Sequence, residues 1–306
     1  MAVLAATADG YHVLTSSGEH HVSLEGQGVE ALTPGPSGTW IAIVDGHEIW
    51  QHGDDDQWRV IGRSDLELVC LVTIDDVVFA GTSGPRMVRL DADGLLSPLP
   101  GFDATPGREQ WHQVGPSLQV RSLSATTDGT LLANVHVGGI ARSEDAGRSW
   151  EPTIEVDADV HEVKAHPSAG ELVMAAAAVG LCVSRDGGRQ WTVVDHGLHA
   201  TYARAITFIG DDVLVSVSDG PFAKRSAIYR GRVDAVGSDA KGRLERVRDG
   251  LPEWLEGNVD TRCLATGGGR IALADGSGSV WVTGPDGDGW SLAADGLPWV
   301  NAVVVV

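Results

Sequence analysis

Ser143-Glu144-Asp145-Ala146-Gly147-Arg148-Ser149-Trp150 and Ser184-Arg185-Asp186-Gly187-Gly188-Arg189-Gln190-Trp191 share the pattern S-x-D-x-G-x-x-W and start forty-one residues apart. A period of that length matches one blade of a β-propeller, a four-stranded unit that cannot bury both faces alone and must stack on neighbours. The octet suits a hairpin tip. Ser and Asp side chains can bond the turn's backbone, Gly takes up positive φ, and Trp packs where the next strand begins.

A chain of 306 residues could form two ordinary domains or one built of repeats, and the repeat argues for one. A hydrophobic share of 42%, with 40 Gly and 13 Pro, describes an ordered, turn-rich chain with little helix. Forty-two acidic residues against 22 basic ones give a formal charge of −20, and no run of Lys or Arg offers a local exception. Such a chain repels polyanions, so nucleic acid and anionic membrane surfaces are not expected as partners. Cys70, Cys182 and Cys263 stand singly in apolar, strand-like contexts. Their odd count and wide scatter argue against a disulfide framework and against a zinc site, leaving core packing. The first ten residues carry no basic region, and no apolar stretch is long enough to span a bilayer, so a cytoplasmic location is expected.

Turn pairs recur where second strands should end: Asp9-Gly10, Asp45-Gly46, Ser83-Gly84, Gly138-Gly139, Val179-Gly180, Asp219-Gly220 and Asp275-Gly276. The segments before them are apolar, as central strands should be. The fold class is therefore all-β, a single seven-bladed propeller over residues 1–306. The blades are expected near 1–28 plus 299–306, 29–63, 66–117, 120–158, 160–199, 202–257 and 259–298. The first blade lacks room for an innermost strand. Val300-Asn301-Ala302-Val303-Val304-Val305-Val306 starts an eighth repeat and stops, so it is expected to pair beside Val3–Thr7 and close the fold, removing open edges.

The two octets resemble the Asp box, or BNR repeat, of sialidase-like propellers in the broader WD40/YVTN/BNR-like group. Trp58 in Gly53-Asp54-Asp55-Asp56-Gln57-Trp58 and Trp290 in Asp286-Gly287-Asp288-Gly289-Trp290 look like degenerate copies, while the third and sixth blades show none. The resemblance implies that the octets sit at turns between third and fourth strands, away from the ligand face. A ligand would then sit on the opposite face, where the inter-blade connections and second-to-third turns gather. The longest connection, Gly101 to Leu118, holds Trp111 and His112; another, Leu251 to Asn258, holds Trp254. Innermost strands start below them with Arg121, His161-Glu162, Tyr202 and Arg204, Asn258 and Asp260, and Asn301, and His136 and Asp219 end second strands at the same rim.

This rim is expected to bind a small polar molecule or glycan, with Trp111, His112, Arg121, Tyr202, Arg204, Trp254, Asn258 and Asn301 as ligand-binding residues. The alternative is an enzyme of the glycoside hydrolase, lyase or isomerase type. His136, His161, Glu162, Asp219 and Asp260 would then be catalytic, because imidazole titrates near neutrality and paired carboxylates suit glycosidic cleavage. A divalent metal held by His and carboxylate is a further option, although no ligand pair has a spacing that fixes geometry in sequence. His166, followed by Pro167, is expected in a solvated turn at the other face. Sialidase activity is not expected. The family uses an arginine triad and a Tyr nucleophile, whereas this chain has no Arg before Arg59, and of Tyr11, Tyr202 and Tyr229 only Tyr202 reaches the rim.

Overall fold

The computed structural model describes residues 2–53, 57–113, 118–237 and 243–306. Asp54–Asp56 of the degenerate octet, and residues 114–117 at the end of the third expected blade, lie outside these. The fold is all-β, a seven-bladed β-propeller. Each blade is an antiparallel sheet whose strands follow chain order, except where the termini meet.

Val300–Val305, Ala2–Thr7, Gly10–Thr15 and His20–Ser23 form the first blade; Val29–Pro34, Trp40–Val44, Glu48–His52 and Trp58–Arg63 the second. Leu68–Ile74, Val77–Thr82, Met87–Leu90 and Leu96–Pro98 form the third; Gln119–Ala125, Leu131–His136, Gly139–Ser143 and Glu151–Pro152 the fourth. The fifth comprises Val160–Ala165, Val173–Ala177, Gly180–Ser184 and Thr192–Val194. The sixth comprises Tyr202–Ile209, Asp212–Ser218, Arg225–Arg232 and Glu245–Arg246, with Leu255–Glu256 also pairing Arg225–Arg232. Leu264–Gly267, Arg270–Ala274, Val280–Thr283 and Ser291–Ala294 form the seventh. Contacts divide the chain into two compact units. One is Met1–Gln27 with Met174–Val183 and Thr192–Val306; the other is Gly28–Val173 with Ser184–Trp191.

In the first unit, Val305 pairs with Val3, Val303 with Ala5 and Ala302 with Ala6. This closure needs Gly267, because a Cβ there would lie 2.0 Å from the carbonyl oxygen of Val305. The core beneath it joins Ala5, Leu14, Leu214, Ile228, Leu264, Leu273, Trp290 and Val303. In the second unit, Ile41, Ile43, Ile49, Leu68 and Val78 form one core cluster, and Phe79, Phe102, Trp111, Val120, Leu131 and Trp150 another. All three cysteines are buried and none forms a disulfide, and burial pushes the Cys182 thiol up to about 12.

The octets form the turns between third and fourth strands. Ser143 Oγ donates to Asp145 Oδ1 and accepts the Gly147 amide, both at 2.9 Å. The Asp145 carboxylate accepts the Ser149 amide at 2.9 Å and its hydroxyl at 2.7 Å, and Trp150 Nε1 donates to the Gly147 carbonyl at 3.0 Å. Ser184, Asp186 and Gly188 repeat the Ser–Asp–Gly part of this pattern, and Trp290 Nε1 donates to the Gly287 carbonyl at 3.0 Å as Trp150 does to Gly147. Trp191 departs from it: its Nε1 donates to Thr153 Oγ1 at 3.2 Å and the ring stays half-buried.

Two expectations need correction within the second unit. The connection from Gly101 does not stay on one face. Its short helix Pro100–Asp103 packs on the octet turn, with Phe102 edge-on to Trp150 at 5.1 Å, and a Cβ at Gly101 would strike the Arg148 carbonyl at 1.9 Å. His166 is buried rather than solvated, because its Nδ1 accepts the amides of Ser168 and Ala169 at 3.2 and 3.0 Å and so closes its own turn.

Candidate functional site

A recurring β-bulge positions several of the polar candidates. In five innermost strands the register shifts near the start: it skips Glu30, Val69 and Arg121 in the second unit, and in the first it skips Asn301 and the pair Arg204-Ala205, which stands against the single residue Ser216. A bulged residue leaves the ladder and its side chain is re-aimed, which makes the position tolerant of charge. Four of these five shifts hold a polar residue: Glu30, Arg121, Arg204 and Asn301. Asn258 and Asp260, in contrast, precede the seventh blade's first strand, which starts at Leu264, and so lie on the connection.

In the second unit, His136 ends its strand, Asp159 follows a 3-10 turn in the left-handed region with φ 48°, and His161 is the second residue of Val160–Ala165. Their ligating atoms all lie within 4.8 Å of one another. His136 Nε2 is 3.3 Å from Asp159 Oδ1, and His161 Nε2 is 3.6 Å from Asp159 Oδ2. Burial works against the Asp159 charge, but His161, His136 and Arg121 outweigh it and hold the carboxyl below its usual range. Glu162 is buried, with Lys164 Nζ 3.7 Å from its carboxylate. His112 is exposed and its Nδ1 donates to the Gln110 carbonyl. Trp111 is only 9% exposed, packs on Phe102 at 5.4 Å and carries the Arg108 guanidinium at 4.6 Å, so it pins the connection instead of presenting a free ring.

In the first unit, Arg204 Nη1 meets Asp260 Oδ2 at 2.6 Å and its guanidinium lies 5.5 Å from the Tyr202 ring. Burial opposes the Arg204 charge, but Asp260 and Tyr202 prevail and hold it above its usual range. A second network fixes the sixth blade's turn. Tyr229 Oη bonds His199 Nδ1 at 2.8 Å, His199 Nε2 lies 3.5 Å from Asp219, and Asp219 accepts from Arg225 Nε at 2.8 Å. Trp254 belongs to it, with His199 edge-on at 4.9 Å and the guanidinia of Arg225 and Arg246 at 4.3 and 3.9 Å from its ring. A ligand could stack on Trp254 only by displacing them.

Trp299, 58% exposed, was not anticipated from sequence, whereas Phe222, 93% exposed, lies in the second-to-third turn Asp219-Gly220-Pro221-Phe222 expected on the ligand face. Trp299 shares a shallow cleft with Asn258, Asp260 and Asp275. Asn258 Nδ2 donates to the carbonyl of Pro221, the neighbour of Phe222, at 3.0 Å, while its buried Oδ1 has no hydrogen-bond partner. The Leu297-Pro298-Trp299 step just before the closing strand was the available signal for Trp299. Asp159 was legible only as the Asp of Asp159-Val160-His161, since nothing local links it to His136.

No protein-family model matches the sequence, and neither does any curated protein. Among solved structures the chain is similar to the GH74 enzyme of Niastella koreensis, at TM-score 0.65 and 12% identity over 94% of this chain and 46% of that one. It is also similar to the GH74 xyloglucanase of Xanthomonas campestris, at 0.62 and 15% over 94% and 46%, and to U3-55K, at 0.60 and 14% over 92% and 85%. The chain thus spans about half the length of the GH74 enzymes. At these identities the likeness is one of fold: a β-propeller.

Proposed function

We propose that this propeller binds a glycan or a similar polyhydroxylated small molecule on its first unit, at Trp299, Asn258 and Asp260. The observation that carries the reading is the buried Asn258 Oδ1, an acceptor with no hydrogen-bond partner, lining the same cleft as a largely exposed indole. Leaving such an acceptor unmatched costs about 1–3 kcal/mol, which a ligand hydroxyl would recover. The indole supplies a flat apolar face for the C–H side of a sugar ring, and the carboxylates of Asp260 and Asp275 supply further acceptors. The cleft itself holds only about 10 Å³, room for roughly one water, so the ligand lies across it. That shallowness favours binding over catalysis. The Asp275-Gly276 turn places the cleft at the end of the seventh blade away from the Trp290 turn, which supports reading the octets and the Trp290 turn as Asp boxes on the non-ligand side. The GH74 xyloglucanase supplies a probe.

Saturation-transfer NMR and calorimetry with a panel of neutral oligosaccharides, xyloglucan oligosaccharides among them, test the proposal. Binding by the wild type, weakened at least tenfold by Trp299→Ala with an unchanged melting temperature, is expected. If no oligosaccharide binds, or Trp299→Ala binds as well as wild type, the proposal fails.

A further inference from the structure

Beyond ligand binding on the first unit, we infer that His136, Asp159 and His161 of the second unit form a binding site for a divalent transition-metal ion. Donor chemistry comes first. Two imidazoles and one carboxylate are a set that zinc, ferrous iron and manganese accept, and three protein ligands leave positions open for water or substrate. Distance comes next. Ligand atoms about 2.0–2.1 Å from a tetrahedral ion lie about 3.3–3.4 Å apart. The His136–Asp159 and His161–Asp159 separations are 3.3 and 3.6 Å, and no ligating atom is more than 4.8 Å from another. The two histidine–carboxylate separations, made to different oxygens of Asp159, are thus close to that spacing, and with all donors within 4.8 Å a small side-chain rotation would complete the set.

Hydrogen bonding alone accounts poorly for this arrangement. Asp159 Oδ1 is buried and has no hydrogen-bond partner, although His136 Nε2 is only 3.3 Å away, so the two atoms sit side by side without the alignment a hydrogen bond needs. His161 is fully buried, and its ring is centred 5.8 Å from that of His136. The backbone fixes the geometry: His136 and His161 stand on strands of neighbouring blades, and Asp159 is held in the left-handed conformation by the 3-10 turn before it. Asp159 keeps 22% of its side chain exposed, which gives an ion and its open positions a route to solvent.

The full-length chain is stripped with chelator, dialysed, and titrated with Zn²⁺ by calorimetry and with Co²⁺ by visible absorption, whose d–d bands report coordination geometry. The chain has 11 histidines, so His20→Ala, which removes the partner of His12 at 2.9 Å, serves as the surface control. One Zn²⁺ equivalent is expected, weakened at least tenfold by Asp159→Asn and by His161→Gln and unchanged in His20→Ala, with low-coordinate Co²⁺ bands lost in the same two variants. Asp159→Asn is isosteric and decides the matter if His161→Gln fails to fold. Absence of stoichiometric binding by the wild type, or equal binding by folded Asp159→Asn, overturns the inference. Loss of binding in His20→Ala does so too. Sugar binding at Trp299 is scored separately, so either result can fail alone.

Discussion

Replacing Asp145 by Asn should cost about 1 kcal/mol at neutral pH, and the cost should disappear in acid. Its carboxyl is lowered from 3.8 to about 2, first by the Ser149 hydroxyl and then by the Ser149 amide, against a small opposing effect of burial. That drop corresponds to at most about 2.5 kcal/mol, at about 1.36 kcal/mol per pKa unit. The turn is half-exposed and solvent screens it, which brings the expected value nearer 1 kcal/mol. The sign follows from the direction. A carboxyl depressed in the folded state stabilises above its unfolded value, and that contribution is lost as pH falls from 3.8 towards 2. Urea unfolding of wild type and Asp145→Asn should therefore show a constant gap between about pH 7 and 5, roughly half of it at pH 3, and only a small remainder near pH 2. Asp186→Asn should behave in the same direction, since Asp186 is also lowered, burial being outweighed by the amides of Gln190 and Arg189 and the Ser184 hydroxyl. A gap of equal size at pH 3 and pH 7, or none at pH 7, would refute the claim that the charged turn carries the stability.

Deleting residues 300–306 removes the buried side chains of Val300, Ala302, Val303 and Val305, worth about 6 kcal/mol, and uncovers the edge of Ala2–Thr7. That approaches the whole stability of a typical fold, so soluble yield should collapse; a soluble monomer with the wild-type melting temperature would contradict this. Asp260→Asn should cost about 3–5 kcal/mol by stranding Arg204, whereas the double replacement Arg204→Met with Asp260→Leu should recover most of it; simple additivity in urea unfolding would count against a coupled pair. His199 is held below its usual range chiefly by burial, with Arg246 and Arg225 adding to the effect against Asp219. Its contribution to stability is thus present above the unfolded value near 6.5 and lost on acidification through the lower folded value, so His199→Gln should flatten the melting-temperature decline below pH 6.5. An unchanged slope would show that other groups dominate.

The first unit's polar residues do two different jobs. Asp219, His199, Tyr229 and Trp254 satisfy one another and fix a turn, so their chemistry is internal. Asn258 and Trp299 keep an unmatched acceptor and an exposed ring, which is what a ligand would use. Both groups looked alike as one-dimensional signals, an aromatic beside polar residues on an inter-blade connection. Burial and hydrogen bonding separate them.

The sequence by itself determined the blade count, the turn phase and the closure. Octet chemistry, Asp-Gly-type turn pairs and alternating apolar strands are local, and each is written within a few residues. It also placed Arg121, Arg204 and Asn301 near the starts of innermost strands, although only the ladder shows the register shifts there. What the tertiary structure alone decided is which polar groups meet. Asp159 reaches His136 across blades, twenty-three residues away, and Trp254 is covered by Arg225 and Arg246 from other segments. His166 is turned inward by amides two and three residues ahead. Those outcomes depend on side-chain direction and strand register. A period of forty-one residues constrains the backbone to repeat but leaves each blade free to fill its ends differently.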